Sequence, residues 1–212
     1  MITIYHVPHS RSLRVVWLME ELGEEYRLEK VTFPTPAAYR EVSPLGTVPA
    51  IDDASVPGGI RMSESIAILQ YLTGRRLVAG DETAKALTVG PLPDPAAYAE
   101  HLTLLHFGEA DLAGICTGIF RGRLAARAAG REEPDPQNRL DRLAGRLAFL
   151  EGKLADGREW ITGASFTIAD ISIGYALGFA AFMGLDAMFG AKVAAYWQRL
   201  QARPALQRAV AA

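Results

Sequence analysis

One cysteine in 212 residues, Cys116, makes an internal disulfide impossible and fits a reducing compartment, where thiols stay reduced. Charge of either sign is not in excess. The 22 Lys and Arg against 24 Asp and Glu leave a net −2, so neither nucleic acid nor an anionic membrane is indicated as a partner. No run of 18 or more apolar residues suggests a membrane span. The start, Met1-Ile2-Thr3-Ile4-Tyr5-His6, lacks the basic and apolar regions of a secretory leader, so the expectation is a cytoplasmic protein. Of the four histidines, His101 and His106 share a helical segment at a spacing of five, not the three or four that sets two ligands on one face, and no metal is expected. A Gly-x-Ser-x-Gly nucleophile elbow is missing, as are internal repeats and low-complexity tracts. What is there is a chain with 50% hydrophobic and 22% charged residues, a globular composition long enough for a sizeable core or two small domains.

Two halves with different periodicities follow one another. Ile2 and Ile4 alternating with Thr3 and Tyr5 predict a strand over 1–7. Leu13, Val16, Trp17 and Met19 predict a helix over Ser12–Leu22, with Gly23 placed as its C-terminal cap. Tyr26–Val31 reads as a second strand, broken by Pro34 and Pro36. Val48–Ile51 and Gly59–Met62 predict a hairpin turned by Asp52-Asp53 and Pro57-Gly58-Gly59. A helix then opens at Ser63 or Glu64, runs through Leu72 and closes at Gly74. The order βαβ then ββα suits a small mixed sheet with helices on its faces, domain one over 1–78.

Residues 79–94, with Gly80, Gly90, Pro91 and Pro93, read as a linker. Beyond it, over 95–212, the pattern is helical throughout. Ala96–Ile119 is one expected helix, and Leu140, Leu143, Leu147, Leu150 and Leu154 mark an amphipathic one. Phe166–Phe182 is apolar almost all round and is the expected buried central helix. Ala191–Ala202 and a last turn from Pro204 complete the set. Thr167 and Asp170 stand three apart at the start of the buried helix, a capping box with Asp in place of Glu. The fold class is thus α/β followed by an all-α domain.

Three places carry the arrangement that chemistry needs. Glu64-Ser65 sits at a helix start, where a hydroxyl and free backbone N–H groups suit a carboxylate and the Glu can receive an ammonium. The pair complements the zwitterionic end of an amino acid, although the same residues also serve as an ordinary helix start. Val48-Pro49 lies just before the hairpin. His9-Ser10-Arg11-Ser12 occupies the turn between the first strand and first helix, the position where a thioredoxin or glutaredoxin carries its nucleophilic cysteine. With Cys116 far away, protein-thiol redox chemistry at that turn is excluded, and any sulfur there arrives with a ligand. His9 reads as a solvated turn residue and His6 as structural.

Tyr5-His6-Val7-Pro8-His9-Ser10-Arg11-Ser12-Leu13-Arg14, Pro44-Leu45-Gly46-Thr47-Val48-Pro49-Ala50 and Met62-Ser63-Glu64-Ser65-Ile66-Ala67-Ile68 together resemble the glutathione transferase family, and the resemblance runs over about residues 1–80 and 95–210. It implies a thioredoxin-like N-terminal domain, a C-terminal helical bundle, glutathione as cosubstrate, no metal, a homodimer and a role in detoxification. It further implies a cis Val48–Pro49 bond, with Val48 exchanging backbone hydrogen bonds with the cysteinyl part of glutathione. Thr47, Val48, Pro49, Glu64 and Ser65 would form the glutathione site, Thr47 departing from the Lys or Gln that relatives often carry. By its distance from Arg14, Ser10 matches the serine of theta- and delta-like relatives. Lowering a thiol pKa by two units requires about 2.7 kcal/mol, which a hydroxyl donor and a helix N-terminus can together supply. Ser12, Arg11 or a backbone N–H remain alternatives for the sulfur contact. His9, Phe107, Asp111, Ile115 and Phe120 are the residues expected about the electrophile, with Cys116 a packing residue. The resemblance also covers glutathione-dependent isomerases and dehalogenases, and non-catalytic binding or assembly modules; the Ser-Ser-Cys run of maleylacetoacetate isomerases is not found here.

Overall fold

Alternation at the start of the chain becomes β1 (Ile2–His6), whose Ile2, Ile4 and His6 are buried while Thr3 and Tyr5 are partly covered. In this computed structural model, which describes residues 1–131 and 135–212, the chain divides into two units. One is Met1–Thr88 with Gln201–Ala212, the other Val89–Leu200.

In the first unit, α1 (Ser12–Leu22) buries Val15 through Met19 and stops at Gly23, whose φ of 61° is the left-handed geometry that glycine adopts without cost. β2 (Tyr26–Lys30) then pairs parallel to β1. β3 (Ala50–Asp53) and β4 (Ile60–Ser63) form an antiparallel hairpin, with β3 also antiparallel to β1. The four strands lie in the order β2-β1-β3-β4. The hairpin begins later than the pattern predicts: Pro49 has no N–H to give a ladder, so β3 starts at Ala50.

α2 (Ser65–Val78) likewise corrects an expectation, since it passes through Gly74 for another turn. A helical glycine costs about 1 kcal/mol relative to alanine. The added turn carries Arg75, paired with Glu24 and Asp53, and Arg76, paired with Glu24 and Asp81, which hold it in place. α3 (Glu82–Ala86) follows within the expected linker, capped by Asp81 on the Ala84 N–H at 3.0 Å, and packs against α1 and α2. The C-terminal α9 (Pro204–Ala211) lies on α1. There Arg203 forks onto Glu21 at 2.6 and 2.7 Å, and Arg208 reaches Glu20.

The second unit is helical. The single helix expected over Ala96–Ile119 is in fact α4 (Pro95–Phe107), a π-helical turn at Gly108–Ala113, and α5 (Gly114–Ala128). A wider turn frees carbonyls from the ladder. One of its neighbours, the Leu105 carbonyl, accepts from Ser172 Oγ at 2.8 Å. α6 (Gln137–Lys153) buries Leu143, Leu147 and Leu150. α7 (Ile168–Phe182) is buried along most of its length and packs on α4 and the π turn, as its all-round apolar sequence predicts. The capping box at its start is formed by Thr167 and Asp170. α8 (Ala191–Gln201) follows, after short 3-10 turns at Leu154–Asp156 and Asp186–Met188. Among the described residues no helix is long and apolar enough to cross a membrane.

Candidate active site

One transverse row of the sheet sets the site. Tyr5 pairs with Ala50, and Ala50 pairs with Ser63. The chain leaves this row through His6, the last residue of β1, into residues 7–11, enters it from Val48-Pro49 before β3, and leaves it into Glu64-Ser65 after β4. Three segments distant in sequence are therefore delivered to one end of one sheet.

At the first segment the backbone closes a turn, Ser10 N–H donating to the Val7 carbonyl at 3.2 Å. His9 takes a left-handed φ of 59° and is exposed. α1 begins at Ser12 with Arg11 as its N-cap residue, whose side chain makes no cap, while the Ser12 N–H donates to Ser10 Oγ at 3.3 Å. Ser10 is half-buried, whereas Ser12 is 0% exposed. The Ser12 hydroxyl is surrounded: Val7 N–H donates to it at 3.2 Å, the Val7 carbonyl lies at 3.2 Å, His6 Nδ1 at 2.8 Å and Ser10 Oγ at 2.7 Å. Burial pushes the His6 imidazole down to about 4, helped by Lys30 and His9, so it is neutral at pH 7.

At the second segment Val48–Pro49 is cis. Thr47 is exposed, its N–H donating to Ser43 Oγ at 3.3 Å and its carbonyl accepting from Tyr39 at 3.3 Å. Val48 is half-buried and Pro49 buried. No group among the described residues hydrogen-bonds the Val48 N–H or carbonyl.

At the third segment Glu64 stands at the head of α2 with φ 72° and an exposed carboxylate. Its carbonyl accepts from Ile68 N–H at 2.9 Å, and no side chain caps the helix. Ser65 is buried, and Arg14 Nη1 donates to its Oγ at 3.1 Å.

The residues expected about the electrophile fall in both units. His9 belongs to the first. In the second, the Phe107 ring packs on Phe149 at 4.9 Å, Asp111 accepts from Arg146 at 3.1 Å, Ile115 is buried, and Phe120 meets Phe179 edge-on at 5.4 Å. Cys116 is buried in α5. Among the described residues no group of three or more His, Cys, Asp or Glu is arranged to hold a metal ion.

This geometry coincides with a family match. Residues 10–75 match the model of the glutathione S-transferase N-terminal domain, and residues 122–212 match that of the C-terminal domain. The chain belongs to the glutathione S-transferase family. Glutathione S-transferase GstA of Escherichia coli is 27% identical over 99% of this chain and 97% of its own. Glutathione S-transferase 3 of Schizosaccharomyces pombe is 34% identical, and that match spans 53% of this chain and 43% of the yeast protein. A transferase family member from Pseudomonas fluorescens, solved with two glutathione molecules bound, superposes with a TM-score of 0.77 at 27% identity, covering 99% of this chain and 92% of that one.

Two residues of this glutathione S-transferase escaped the sequence reading. His6 reads as a third inward position of a strand, and only the turn back to Ser12 shows that its ring meets a hydroxyl. Arg14 is 0% exposed in α1, and its contact with Ser65 crosses 51 residues. A charged residue in the middle of an apolar helical face was the available signal for Arg14. For His6 there was none.

Proposed function

We propose that this chain works as a serine-type glutathione transferase, holding glutathione at the Tyr5–Ala50–Ser63 end of its sheet and ionising the thiol through Ser10. The observation that carries the reading is that shared sheet row. It supports a reading in which Val48 offers a peptide-like acceptor and donor, Glu64 an ammonium acceptor and Ser65 a carboxylate-binding helix start, at the same end of the sheet as the turn that bears Ser10.

Each contact has a physical reason. The open N–H and carbonyl of Val48 are the two groups that an extended peptide pairs with in antiparallel fashion. Glu64, exposed at the head of α2, faces the α-ammonium of the γ-glutamyl head in this reading. The uncapped first turn of α2 supplies N–H groups to the α-carboxylate. Ser10, half-buried, is open to a ligand sulfur, while Ser12 is sealed beneath it. A hydroxyl proton directed at sulfur favours thiolate over thiol, and the start of α1 adds its dipole. The thiolate then attacks an electrophilic carbon, a C–S bond forms, and the leaving group departs with the bonding pair.

Two copies pair as a homodimer in this reading, which family likeness supports. A cytoplasmic role in detoxification fits the single, buried cysteine.

The test is ultraviolet difference absorbance of glutathione added at neutral pH to wild type and Ser10→Ala. A thiolate band that weakens in the variant is expected. An unchanged band would move the role to Arg11 or a backbone N–H, and no band at saturating glutathione would make a binding module the better account.

A further inference from the structure

Ser10, Ser12 and His6 form a chain of hydrogen bonds that runs inward from the turn: Ser10 Oγ to Ser12 Oγ at 2.7 Å, and Ser12 Oγ to His6 Nδ1 at 2.8 Å. Each hydroxyl has one proton and two lone pairs, so the direction of this chain is a matter of counting. The Val7 N–H fills one lone pair of Ser12.

Suppose His6 carries its proton on Nδ1 and donates. The second lone pair of Ser12 is then filled, and the 2.7 Å contact with Ser10 must use the proton of Ser12. The competing acceptor, the Val7 carbonyl, is farther at 3.2 Å. Ser10 now accepts from the Ser12 hydroxyl and from the Ser12 backbone N–H at 3.3 Å. Both its lone pairs are used and its own proton points outward, toward a ligand.

Suppose instead that Nδ1 is bare. Ser12 gives its proton to His6, Ser10 must give its own to Ser12, and Ser10 turns a lone pair outward. The first arrangement donates to a sulfur and stabilises a thiolate. The second accepts from S–H and stabilises a thiol.

We propose that His6 is a positioning residue of this site: its Nδ1–H tautomer fixes the sense of the His6→Ser12→Ser10 chain, so that the Ser10 proton is presented to the bound sulfur. The inference rests on the Ser10 reading given above. His6 touches no ligand and acts through two hydroxyls. Its burial keeps the ring neutral, so that one nitrogen alone holds a proton and the tautomer is a two-way choice. Sealing Ser12 at 0% exposure keeps water from supplying a competing donor. Three donors aligned head to tail also polarise one another, which strengthens the last bond in the series.

The experiment compares wild type, Ser10→Ala, His6→Phe and His6→Asn. The pKa of bound glutathione is read from the thiolate absorbance, and binding of S-methylglutathione, which has no thiol proton, is read by calorimetry. An Asn side chain sets an amide N–H near the Nδ1 position, and Phe sets none. Expected is a bound-thiol pKa about one unit higher in His6→Phe, a tenfold loss of thiolate below that pKa. His6→Asn stays close to wild type, and S-methylglutathione affinity stays within about twofold in both, since no bond to the peptide is altered. An unshifted His6→Phe overturns the inference, as does a His6→Asn variant as impaired as Phe. If His6→Phe does not fold, nitrogen NMR of the wild-type complex decides: a protonated Nδ1 supports the assignment and a bare Nδ1 overturns it. A wild type with no thiolate band brings down the Ser10 reading itself. A band lost in Ser10→Ala and intact in His6→Phe brings down only the role of His6.

Discussion

Arg14 Nη1 donates to Ser65 Oγ at 3.1 Å, tying the first turn of α1 to the first residue of α2. Because the hydroxyl oxygen accepts from the guanidinium, its proton is left to donate. A buried positive charge also stands behind the helix start that we assign to the ligand carboxylate. Hydrogen bonds to charged groups contribute about 1.5–3 kcal/mol. Arg14→Met is therefore expected to weaken glutathione binding by roughly tenfold, with Ser65→Ala giving a similar loss. The double variant should lose much less than the product of the two, because both act through one contact. Calorimetric titration of the four proteins checks this, and fully additive losses would show that the pair does not act together.

Gly108 opens the π turn where it crosses α7, and a Cβ there would run into Ser172 Oγ and lie 2.8 Å from Ile173 N. The second contact is to backbone and cannot be relieved by a side-chain rotation. Gly108→Ala should destabilise the helical unit by about 1–3 kcal/mol, the usual cost of overpacking. Adding Ser172→Ala removes the hydroxyl clash and should recover only part of the loss. Urea midpoints of the three proteins test the order.

Acid sensitivity follows from two buried imidazoles. Burial pushes both His6 and His101 down to about 4 from an ordinary 6.5. As pH falls through this window the unfolded chain binds protons that the folded chain does not. Their contribution is therefore complete above about 6.5 and is lost progressively toward 4. Two such groups give a slope of up to about 2.7 kcal/mol per pH unit in mid-window. His101 Nδ1 has no hydrogen-bond partner among the described residues, so His101→Leu should roughly halve the slope between pH 6 and 5 while changing stability little at pH 7.5. Urea unfolding at pH 7.5, 6 and 5 distinguishes this from an unaltered slope.

Much of the first unit was legible because its signals are local. Period-two alternation gave β1, Gly23 gave the end of α1, and Pro49 with its neighbours gave part of the family likeness. What was not legible depends on partners far along the chain. Nothing near Gly74 announces that Glu24, Asp53 and Asp81 will hold another helical turn. Nothing between Ala96 and Ile119 announces that Ser172 will take the Leu105 carbonyl at a π turn. Ser10 and Ser12 look alike in the sequence; the side each takes of the turn separates them, one half-buried and one sealed.

Thr167 and Asp170 test how much a legible motif conceals. The box read from the sequence accounts for the bonds between those two residues: Asp170 Oδ2 accepts from Thr167 N–H at 2.8 Å and from its hydroxyl at 3.1 Å. The other oxygen does something the motif does not show. Oδ1 accepts from Ile161 N–H at 2.8 Å and from Tyr196 at 2.7 Å, joining the loop before α7 to α8. Burial raises the Asp170 carboxyl while these donors hold it down. Thr167→Ala removes a cap and should cost about 1–2 kcal/mol. Asp170→Asn keeps the shape but has one oxygen for four donors, so two N–H or O–H groups would face an NH2 with no acceptor. Leaving buried donors unsatisfied costs about 1–3 kcal/mol each, so Asp170→Asn should be the more damaging change although the box itself ranks the two alike. Equal losses of stability in the two variants would mean that Asp170 works only as the cap, and that Ile161 and Tyr196 find other partners.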